Sequence, residues 1–184
     1  MEKLVRVLNK VNEVSAWKIS QVHTKSSELF YVLDKLETNR ATDTVDYTIT
    51  VYVDKDGKRG SSDFNVYSYM NEEELINKIK ENVYAATFAL NEFYEIPSCS
   101  KVEIESSKSN LKDVSFNEML PQIVKAVFKA NAYKEGKINA TEIFLYEITE
   151  RIVNSKGVDV SSTSYKGNIE FIPTWIGEKE EVEL

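Results

Sequence analysis

A single stretch between residues 47 and 69 constrains the fold of this chain more than any other. Tyr47–Val53 alternates β-branched and aromatic residues with the period of a β-strand. Asp54–Gly57 has the composition of a tight turn, in which Gly57 supplies a positive φ at little cost. Lys58–Tyr69 can then return as the partner strand. The sequence therefore predicts an antiparallel hairpin that turns at Asp56-Gly57.

Other strand-forming segments lie at both ends of the chain. Trp17–Val32 is predicted to be extended because it contains alternating residues followed by a short apolar run. The last third has turn chemistry at Lys156-Gly157 and again at Lys166-Gly167. Between and beside these turns the predicted strands are Glu142–Ile148, Ile152–Val153, Val158–Ser162 and Asn168–Pro173.

Three segments have the apolar spacing of amphipathic helices. They predict helices over about residues 4–14, 72–93 and 115–135. Asn71 is a suitable N-cap for the second helix. Ser115 and Glu118 have the spacing of a capping box at the start of the third, and Gly136 is its expected stop.

These elements predict an α+β fold in which helices pack against one face of a mainly antiparallel sheet. The whole chain is expected to form one domain, with sub-units 1–97 and 113–177 joined by a serine- and charge-rich linker, residues 98–112. Glu28-Leu29-Phe30 in the first half echoes Glu142-Ile143-Phe144 in the second. A duplicated helix–meander unit is one interpretation of this echo, and the absence of any duplication is the other.

Composition narrows the class of protein. Of the 184 residues, 42% are hydrophobic and 29% are charged, so wholesale disorder is not expected. The net charge of −7 argues against a face that binds nucleic acid. The longest apolar run is far shorter than the roughly 20 residues of a membrane span. One cysteine, Cys99, excludes an internal disulfide and fits a reducing compartment, so we expect a cytoplasmic protein without a membrane partner.

Residues with catalytic potential are scarce. A catalytic zinc site needs three protein ligands, and this chain contains one histidine, His23, and one cysteine, Cys99. His23 lies in a predicted strand, and Cys99 lies in the predicted linker with no base nearby in sequence. A Ser-His-Asp triad through His23 would have to assemble in space, and nothing in the sequence motivates it. We therefore predict no catalytic, metal-binding or cofactor-binding residues in this chain.

Two acidic segments have simpler explanations than metal binding. Glu72–Glu74 lies in the first turn of a predicted helix, where carboxylates favour the helix dipole. Asp54–Gly57 resembles the start of a calcium loop, yet no glutamate stands at the twelfth position of such a loop. We interpret the first segment as a helix start and the second as a hairpin turn.

Two stretches of this sequence carry a family resemblance. Residues Arg40–Pro97 (RATDTVDYTITVYVDKDGKRGSSDFNVYSYMNEEELINKIKENVYAATFALNEFYEIP) form the first, and Arg151–Val160 through Phe171–Trp175 form the second. Together they resemble the N-terminal domain of the TldD/PmbA family of zinc-dependent peptidases, formerly described as modulators of DNA gyrase. The Asn-Ser-Lys-Gly-Val core at residues 154–158 is the most specific part of the match. The resemblance covers essentially the whole chain, but its motifs are structural.

The resemblance implies where catalysis would take place. In this family an HExxxH helix and a further cysteine bind the metal in a C-terminal domain, and no residue of this chain matches them. We therefore expect a fragment of a longer metallopeptidase that works as a homo- or heterodimer on peptide substrates, with zinc held elsewhere in the parent protein. Two alternatives are a standalone module that binds peptides or proteins and a small enzyme with an unrecognised site.

One segment is a candidate for peptide docking. Open sheets leave unpaired N–H and C=O groups at their edges, and an extended peptide can pair with them without catalytic residues. We predict that the strand at Ile169, Glu170, Phe171 and Ile172 is such an edge, because Pro173 cannot donate a ladder hydrogen bond. The alternative is that the missing part of the parent protein covers this edge.

Overall fold

The computed structural model describes residues 1–98, 109–129, 131–178 and 181–183. Their secondary structure confirms the predicted α+β class. In chain order the elements are α1 (Glu2–Leu8), β1 (Ala16–Val32), β2 (Lys35–Lys55), β3 (Lys58–Val66), α2 (Glu72–Ala86), β4 (Asn91–Glu92), a 3-10 turn (Asn110–Lys112), α3 (Phe116–Phe128), β5 (Gly136–Asn154), β6 (Asp159–Ile176) and β7 (Glu181–Glu183).

The described strands form a sheet in the order β4-β3-β2-β1-β5-β6-β7. The predicted hairpin is confirmed: β2 and β3 pair antiparallel from Tyr47 opposite Val66 to Lys55 opposite Lys58. The two residues between them, Asp56 and Gly57, have φ values of 52° and 72°. Two consecutive positive φ values suit the right-handed twist of the flanking strands, which is why this turn begins a regular ladder.

The described chain divides into two compact units, and each of them is built from three separate segments. Unit 1 comprises residues 1–23, 45–105 and 150–162, and unit 2 comprises residues 24–44, 106–149 and 163–184. β1, β2, β5 and β6 each contribute residues to both units, so the units do not coincide with the contiguous sub-units 1–97 and 113–177. The single domain of residues 1–184 and its possible internal duplication stay predictions.

The core of unit 1 packs α1 and α2 against strands. Val7, Ile19 and Ile79 are fully buried in it, with apolar neighbours from β2 and β3. α1 is shorter than predicted and ends at Leu8, but Val11 beyond its end is still buried in this core. The apolar spacing therefore identified the buried residues correctly and placed the end of the helix incorrectly.

α2 begins where its sequence predicts and ends earlier. Asn71 accepts a hydrogen bond from Glu74 N, and the Glu74 carboxylate accepts one from Asn71 N, which completes a capping box. The helix ends at Ala86 rather than near Phe93. The following residues include the short strand β4, which pairs with Lys58 and Arg59 of β3.

Unit 2 has a smaller core under α3. Leu120 on the helix packs with the buried Ile143 and Leu145 of β5. The predicted capping box of Ser115 and Glu118 is present at the start of α3. The helix ends at Phe128, and Gly136 instead begins β5.

The last third of the chain contains fewer and longer strands than its sequence predicts. β5 and β6 are separated by a turn at which Gly157 has a φ of 86°, as predicted for Lys156-Gly157. The second predicted turn, Lys166-Gly167, is wrong, because both residues lie inside the continuous strand β6. A Cβ placed on Gly167 would lie 3.4 Å from Leu145 Cδ2, an ordinary van der Waals contact, so this glycine neither changes the direction of the chain nor is required by the packing.

Candidate functional site

Of the two residues with catalytic potential, His23 and Cys99, the structure describes only His23. His23 is half-buried and lies near the middle of β1. Cys99 lies outside the described residues. Among residues 1–98, 109–129, 131–178 and 181–183, no group of three or more His, Cys, Asp or Glu side chains is placed to hold a metal ion. No helix in the described part of the chain is long and apolar enough to cross a membrane.

Carboxylates in the first turn of α2 form ion pairs and hydrogen bonds within the fold. The Glu72 carboxylate accepts hydrogen bonds from Arg6 and Lys10 on α1 and the residues after it. The bond from Lys10, reinforced by the positive charges of Lys10 and Arg6, holds the pKa of Glu72 below its usual range. Glu74 belongs to the capping box. These partners account for Glu72 and Glu74 without a metal ion.

Arg59 in β3 is the most constrained charged side chain of unit 1. It is 3% exposed and donates hydrogen bonds to both carboxylate oxygens of Asp54, at 2.6 and 2.8 Å. A third bond of 2.6 Å joins Arg59 Nη1 to the carbonyl oxygen of Tyr94, and the Phe93 ring centroid lies 4.4 Å from Arg59 Cζ. The hydrogen bonds from Arg59 lower the pKa of Asp54. Arg59 therefore fastens the segment after α2 to the β2–β3 hairpin, a role that no local sequence pattern announces.

The turn at residues 154–158, the core of the family resemblance, is also held by side chains. Asn154 Oδ1 accepts hydrogen bonds from the backbone N–H groups of Lys156 and Val158, at 2.9 and 3.0 Å. Asn154 Nδ2 donates to the carbonyl oxygen of Pro97 at 2.7 Å. Ser155 adds a reciprocal contact with Trp17, because its Oγ accepts from Trp17 N and its N donates to Trp17 O. The motif is thus a structural turn that ties three parts of unit 1 together.

A cavity of about 790 Å³ lies in unit 1 beside this turn. Its walls include Ser20–Val22 of β1, Glu150–Ile152 of β5, Asp159–Ser162 of β6 and the adjoining Pro97 and Val158. Within the wall Arg151 donates two hydrogen bonds to Asp159, at 2.8 and 2.7 Å. These bonds lower the pKa of Asp159 and raise that of Arg151, so both groups stay charged and satisfy each other. The cavity can hold a ligand, but this ion pair is not arranged for acid–base chemistry.

The predicted docking edge, Ile169–Ile172, lies in unit 2 within β6. β6 has β5 on one side, while β7 on the other side pairs with Thr174, Trp175 and Ile176. Among the described residues, the β7 pairs stop before Ile169–Ile172 is reached. The use of Ile169–Ile172 as a peptide-docking edge stays a prediction.

An apolar groove of about 370 Å³ adjoins this edge in unit 2. We define the β6 groove by residues from the end of α3, the loop after it, the start of β5 and the last part of β6. They are Ala126, Val127, Tyr133, Ile138, Ile169, Phe171, Pro173 and Trp175. Phe171 is 58% exposed and Trp175 is 45% exposed. Trp175 packs on Tyr133 with ring centroids 6.2 Å apart and covers Gly136, where a Cβ would lie 2.7 Å from the indole. Sequence reasoning found the strand and missed the groove, because α3 and β6 are far apart in the chain.

Sequence comparisons find no relative. No model of a known protein family matches the chain, and no curated protein sequence matches it. Comparison with solved structures gives a clear answer about the fold. A proposed modulator of a DNA gyrase from Thermotoga maritima superposes with a TM-score of 0.67 at 21% identity, over 99% of this chain and 41% of that one.

Two further solved structures agree with the first. TldE from Thermococcus kodakarensis has a TM-score of 0.66 at 15% identity, over 98% of this chain and 40% of that one. A second proposed modulator of DNA gyrase, from Bacteroides thetaiotaomicron, has a TM-score of 0.64 at 16% identity, over 99% of this chain and 42% of that one. This chain has the fold found in TldE. The sequence resemblance to the TldD/PmbA family is confirmed at the level of the fold, and the chain spans less than half the length of these structures.

Proposed function

We propose that this chain is the non-catalytic N-terminal domain of a longer, cytoplasmic TldD/PmbA-like metallopeptidase. The observation that carries the proposal is the coverage of the fold comparison. At least 98% of this chain is matched, but the match covers 40 to 42% of each solved structure. A domain of a longer protein gives this asymmetry. In the full protein the domain would supply surface for the substrate cleft or for a homo- or heterodimer.

The proposal assigns peptide hydrolysis to residues outside this chain. A catalytic zinc takes three protein ligands and leaves a position open for water or substrate. The described residues contain no cluster of suitable side chains, and the family resemblance implies a metal site in another domain. Zinc would polarise the scissile carbonyl and activate water there. The part of this chain in that reaction would be to hold the substrate or a partner subunit.

The β6 groove is the surface that we assign to this role. Apolar surface that stays exposed, rimmed by polar residues, is typical of protein–protein or peptide interfaces. Ile169 and Phe171 stand two residues apart on β6, so they share one face of the strand and line the groove. The neighbouring backbone edge at Ile169–Ile172 can add main-chain hydrogen bonds. Side-chain and backbone recognition thus coincide at one place in unit 2.

A standalone module that binds peptides or proteins is the second candidate function. The same groove and edge favour it, because neither needs a catalytic domain to bind an extended peptide. The two candidates differ in the coding region after Leu184. An HExxxH motif there supports the metallopeptidase, and a stop codon directly after Leu184 supports the module.

The experiment that tests the proposal compares the isolated chain with the full-length protein. Metal content after dialysis and cleavage of casein or a model peptide are measured for both. We expect stoichiometric zinc and hydrolysis in the full-length protein and neither in the isolated chain. Stoichiometric zinc in the isolated chain, or hydrolysis that is lost in His23→Ala, would contradict the proposal.

A matched pair of variants then tests the surface. Phe171→Ser removes an exposed aromatic ring from the β6 groove, and Tyr69→Ser removes one that is 77% exposed in unit 1. In the full-length protein we expect Phe171→Ser to raise the KM for peptide or to shift the dimer toward monomer, with unchanged zinc content. Tyr69→Ser should behave as wild type. If both variants keep the wild-type KM and molecular mass, the groove is neither cleft nor dimer surface.

A further inference from the structure

A second groove of unit 2, of about 400 Å³, lies between α3 and β1. We define the α3 groove by Leu29 and Tyr31 of β1 and by Asn117, Pro121, Val124 and Lys125 of α3. It shares no lining residue with the β6 groove. Its volume is in the lower part of the range found for small-molecule sites, roughly 300–1,000 Å³. The α3 groove therefore suits a small molecule or the end of a chain, and not a folded domain.

The floor of the α3 groove is apolar and is fixed by its neighbours. Leu29 and Val124 are half-buried and pack against the core of unit 2. Tyr31 is also half-buried, and its ring packs on Phe128 with centroids 5.3 Å apart. Because these side chains already have partners, an aliphatic group can bind to them without ordering them first.

Pro121 leaves a backbone acceptor at the rim of the α3 groove. It lies in the second turn of α3, which runs from Phe116 to Phe128. Proline has no N–H, so the carbonyl oxygen of Asn117, four residues earlier, cannot receive the helical hydrogen bond from this position. Asn117 and Pro121 are both exposed, and both line the groove. A ligand that carries an N–H group can therefore supply the missing bond.

Lys125 adds a positive charge at the same rim. Within the described part of the chain, no hydrogen bond or ion pair engages its ammonium group. Asn117, Pro121 and Lys125 are spaced by four residues, so they lie along one face of α3. Long helical side chains lean toward the N-terminus of their helix, so the Lys125 ammonium can reach back toward Pro121. The charge of the groove thus complements an anionic ligand.

We propose that the α3 groove binds the C-terminal residue of a peptide when that residue is apolar. The side chain of the bound residue lies on the apolar floor, and its N–H donates to the carbonyl oxygen of Asn117. Its carboxylate pairs with Lys125. A fatty acid would satisfy the floor and the cation but leave the acceptor unpaired, and an internal peptide segment would leave the cation unpaired. Capture of a chain terminus uses all three features.

Titration of the isotope-labelled chain, followed through its amide chemical shifts, tests the ligand chemistry. The probes are N-acetyl-alanyl-leucine, its C-terminal amide, its N-methyl-leucine analogue and octanoate. We expect N-acetyl-alanyl-leucine to bind saturably with a Kd of roughly 1 mM, with its largest shifts at Leu29, Val124 and Lys125. Each other probe lacks one partner and should bind about threefold more weakly, or weaker still.

Three outcomes of this titration would overturn the proposal. The first is that N-acetyl-alanyl-leucine does not saturate, and the second is that its shifts lie outside the α3 groove. The third is that octanoate binds as tightly as the peptide, which would make the groove a site for fatty acids.

Variants then test the cation. Lys125→Gln keeps most of the stem and removes the charge, so it should weaken N-acetyl-alanyl-leucine roughly fivefold and leave the C-terminal amide unchanged. Lys129→Gln is the matched control, because Lys129 is exposed just after α3 and does not line the groove. It should leave both affinities unchanged. If Lys125→Gln weakens the peptide and its amide equally, Lys125 has only a structural role and the proposal is wrong.

Pro121→Ala tests the acceptor without endangering the fold, since alanine is the better helix former. It restores the N–H that bonds to the carbonyl oxygen of Asn117 and so removes the acceptor from the ligand. We expect N-acetyl-alanyl-leucine to bind roughly threefold more weakly to this variant, whereas its N-methyl analogue binds as it does to the parent chain. Unchanged binding of N-acetyl-alanyl-leucine to Pro121→Ala would refute the assigned hydrogen bond and the proposal with it.

Discussion

Replacing Gly60 with alanine tests how α2 packs on the β2–β3 hairpin. Gly60 is buried in β3, and a Cβ built on it would lie 1.9 Å from Ala86 O and 2.9 Å from Ala86 C, with Leu90 Cδ2 at 3.2 Å. The first two atoms belong to the backbone at the end of α2, which cannot rotate away as a side chain can. The helix end or the strand must therefore move to accept one methyl group.

The stability that Gly60→Ala is expected to cost follows from how close this contact is. Overpacking a core costs about 1–3 kcal/mol and occasionally more, and a 1.9 Å approach to backbone belongs at the upper end, near 3 kcal/mol. Gly57 in the same hairpin is the matched control, because its φ is 72° and no atom lies within 4 Å of its built Cβ. Gly57→Ala should cost about 1 kcal/mol through backbone strain alone, and the β-branched Gly57→Val at least as much.

The assay uses the two tryptophans of the chain. Trp17 is buried in unit 1 and Trp175 is half-exposed in unit 2, so a Trp175→Phe background leaves a fluorescence signal from the unit that contains Gly60. Urea midpoints are measured in this background for the glycine variants. Gly60→Ala should unfold at a clearly lower midpoint than Gly57→Ala. If the midpoint of Gly60→Ala is equal to that of Gly57→Ala within error, or higher, α2 does not end against Gly60. If the midpoint of Gly57→Val is the same as that of the parent protein, the turn does not need a positive φ.

Two further predictions concern unit 1. Asn154→Ala should lower stability by about 2–3 kcal/mol in the same urea assay, because the carbonyl of Pro97 and two backbone N–H groups lose their partners; Asn154→Asp, which keeps the acceptor, should cost less, and equal losses would argue against the acceptor role. The hydrogen bonds from Arg59 hold the pKa of Asp54 in the folded protein below its usual 3.8. The stability that this carboxylate contributes is therefore complete at pH values above 3.8 and is lost as the pH falls through the lowered pKa. The midpoint difference between wild type and Asp54→Asn should therefore shrink below about pH 4, and a difference that stays constant from pH 7 to pH 3 would contradict this assignment.

The candidate site could be predicted only in part. Sequence reasoning identified the strand at Ile169–Ile172 from its apolar residues and from Pro173. It could not find the β6 groove, because Val127 on α3 and Phe171 on β6 approach each other only in the folded protein. It also assigned a turn to Lys166-Gly167, since glycine after lysine has turn chemistry whether or not a partner strand lies beside it. Only the pairing that keeps β6 extended from Asp159 to Ile176 shows that the chain does not turn there.

The sequence by itself determined the features whose physical cause is local. The positive φ of Asp56-Gly57 and of Gly157, and the capping boxes at Asn71 and Ser115, depend on residues at most a few positions apart. Tertiary structure decided where α2 ends, because the chain beyond Ala86 pairs as β4 with Lys58 and Arg59 of β3 and does not continue the helix. The apolar spacing did not place the end of α1 either, since Val11 is buried although it lies beyond that end. Tertiary structure also decided the roles of Arg59 and Asn154, whose partners Tyr94 and Pro97 lie 35 and 57 residues away in the chain. Such pairings become favourable only when the fold has brought the partners together, so no local pattern encodes them.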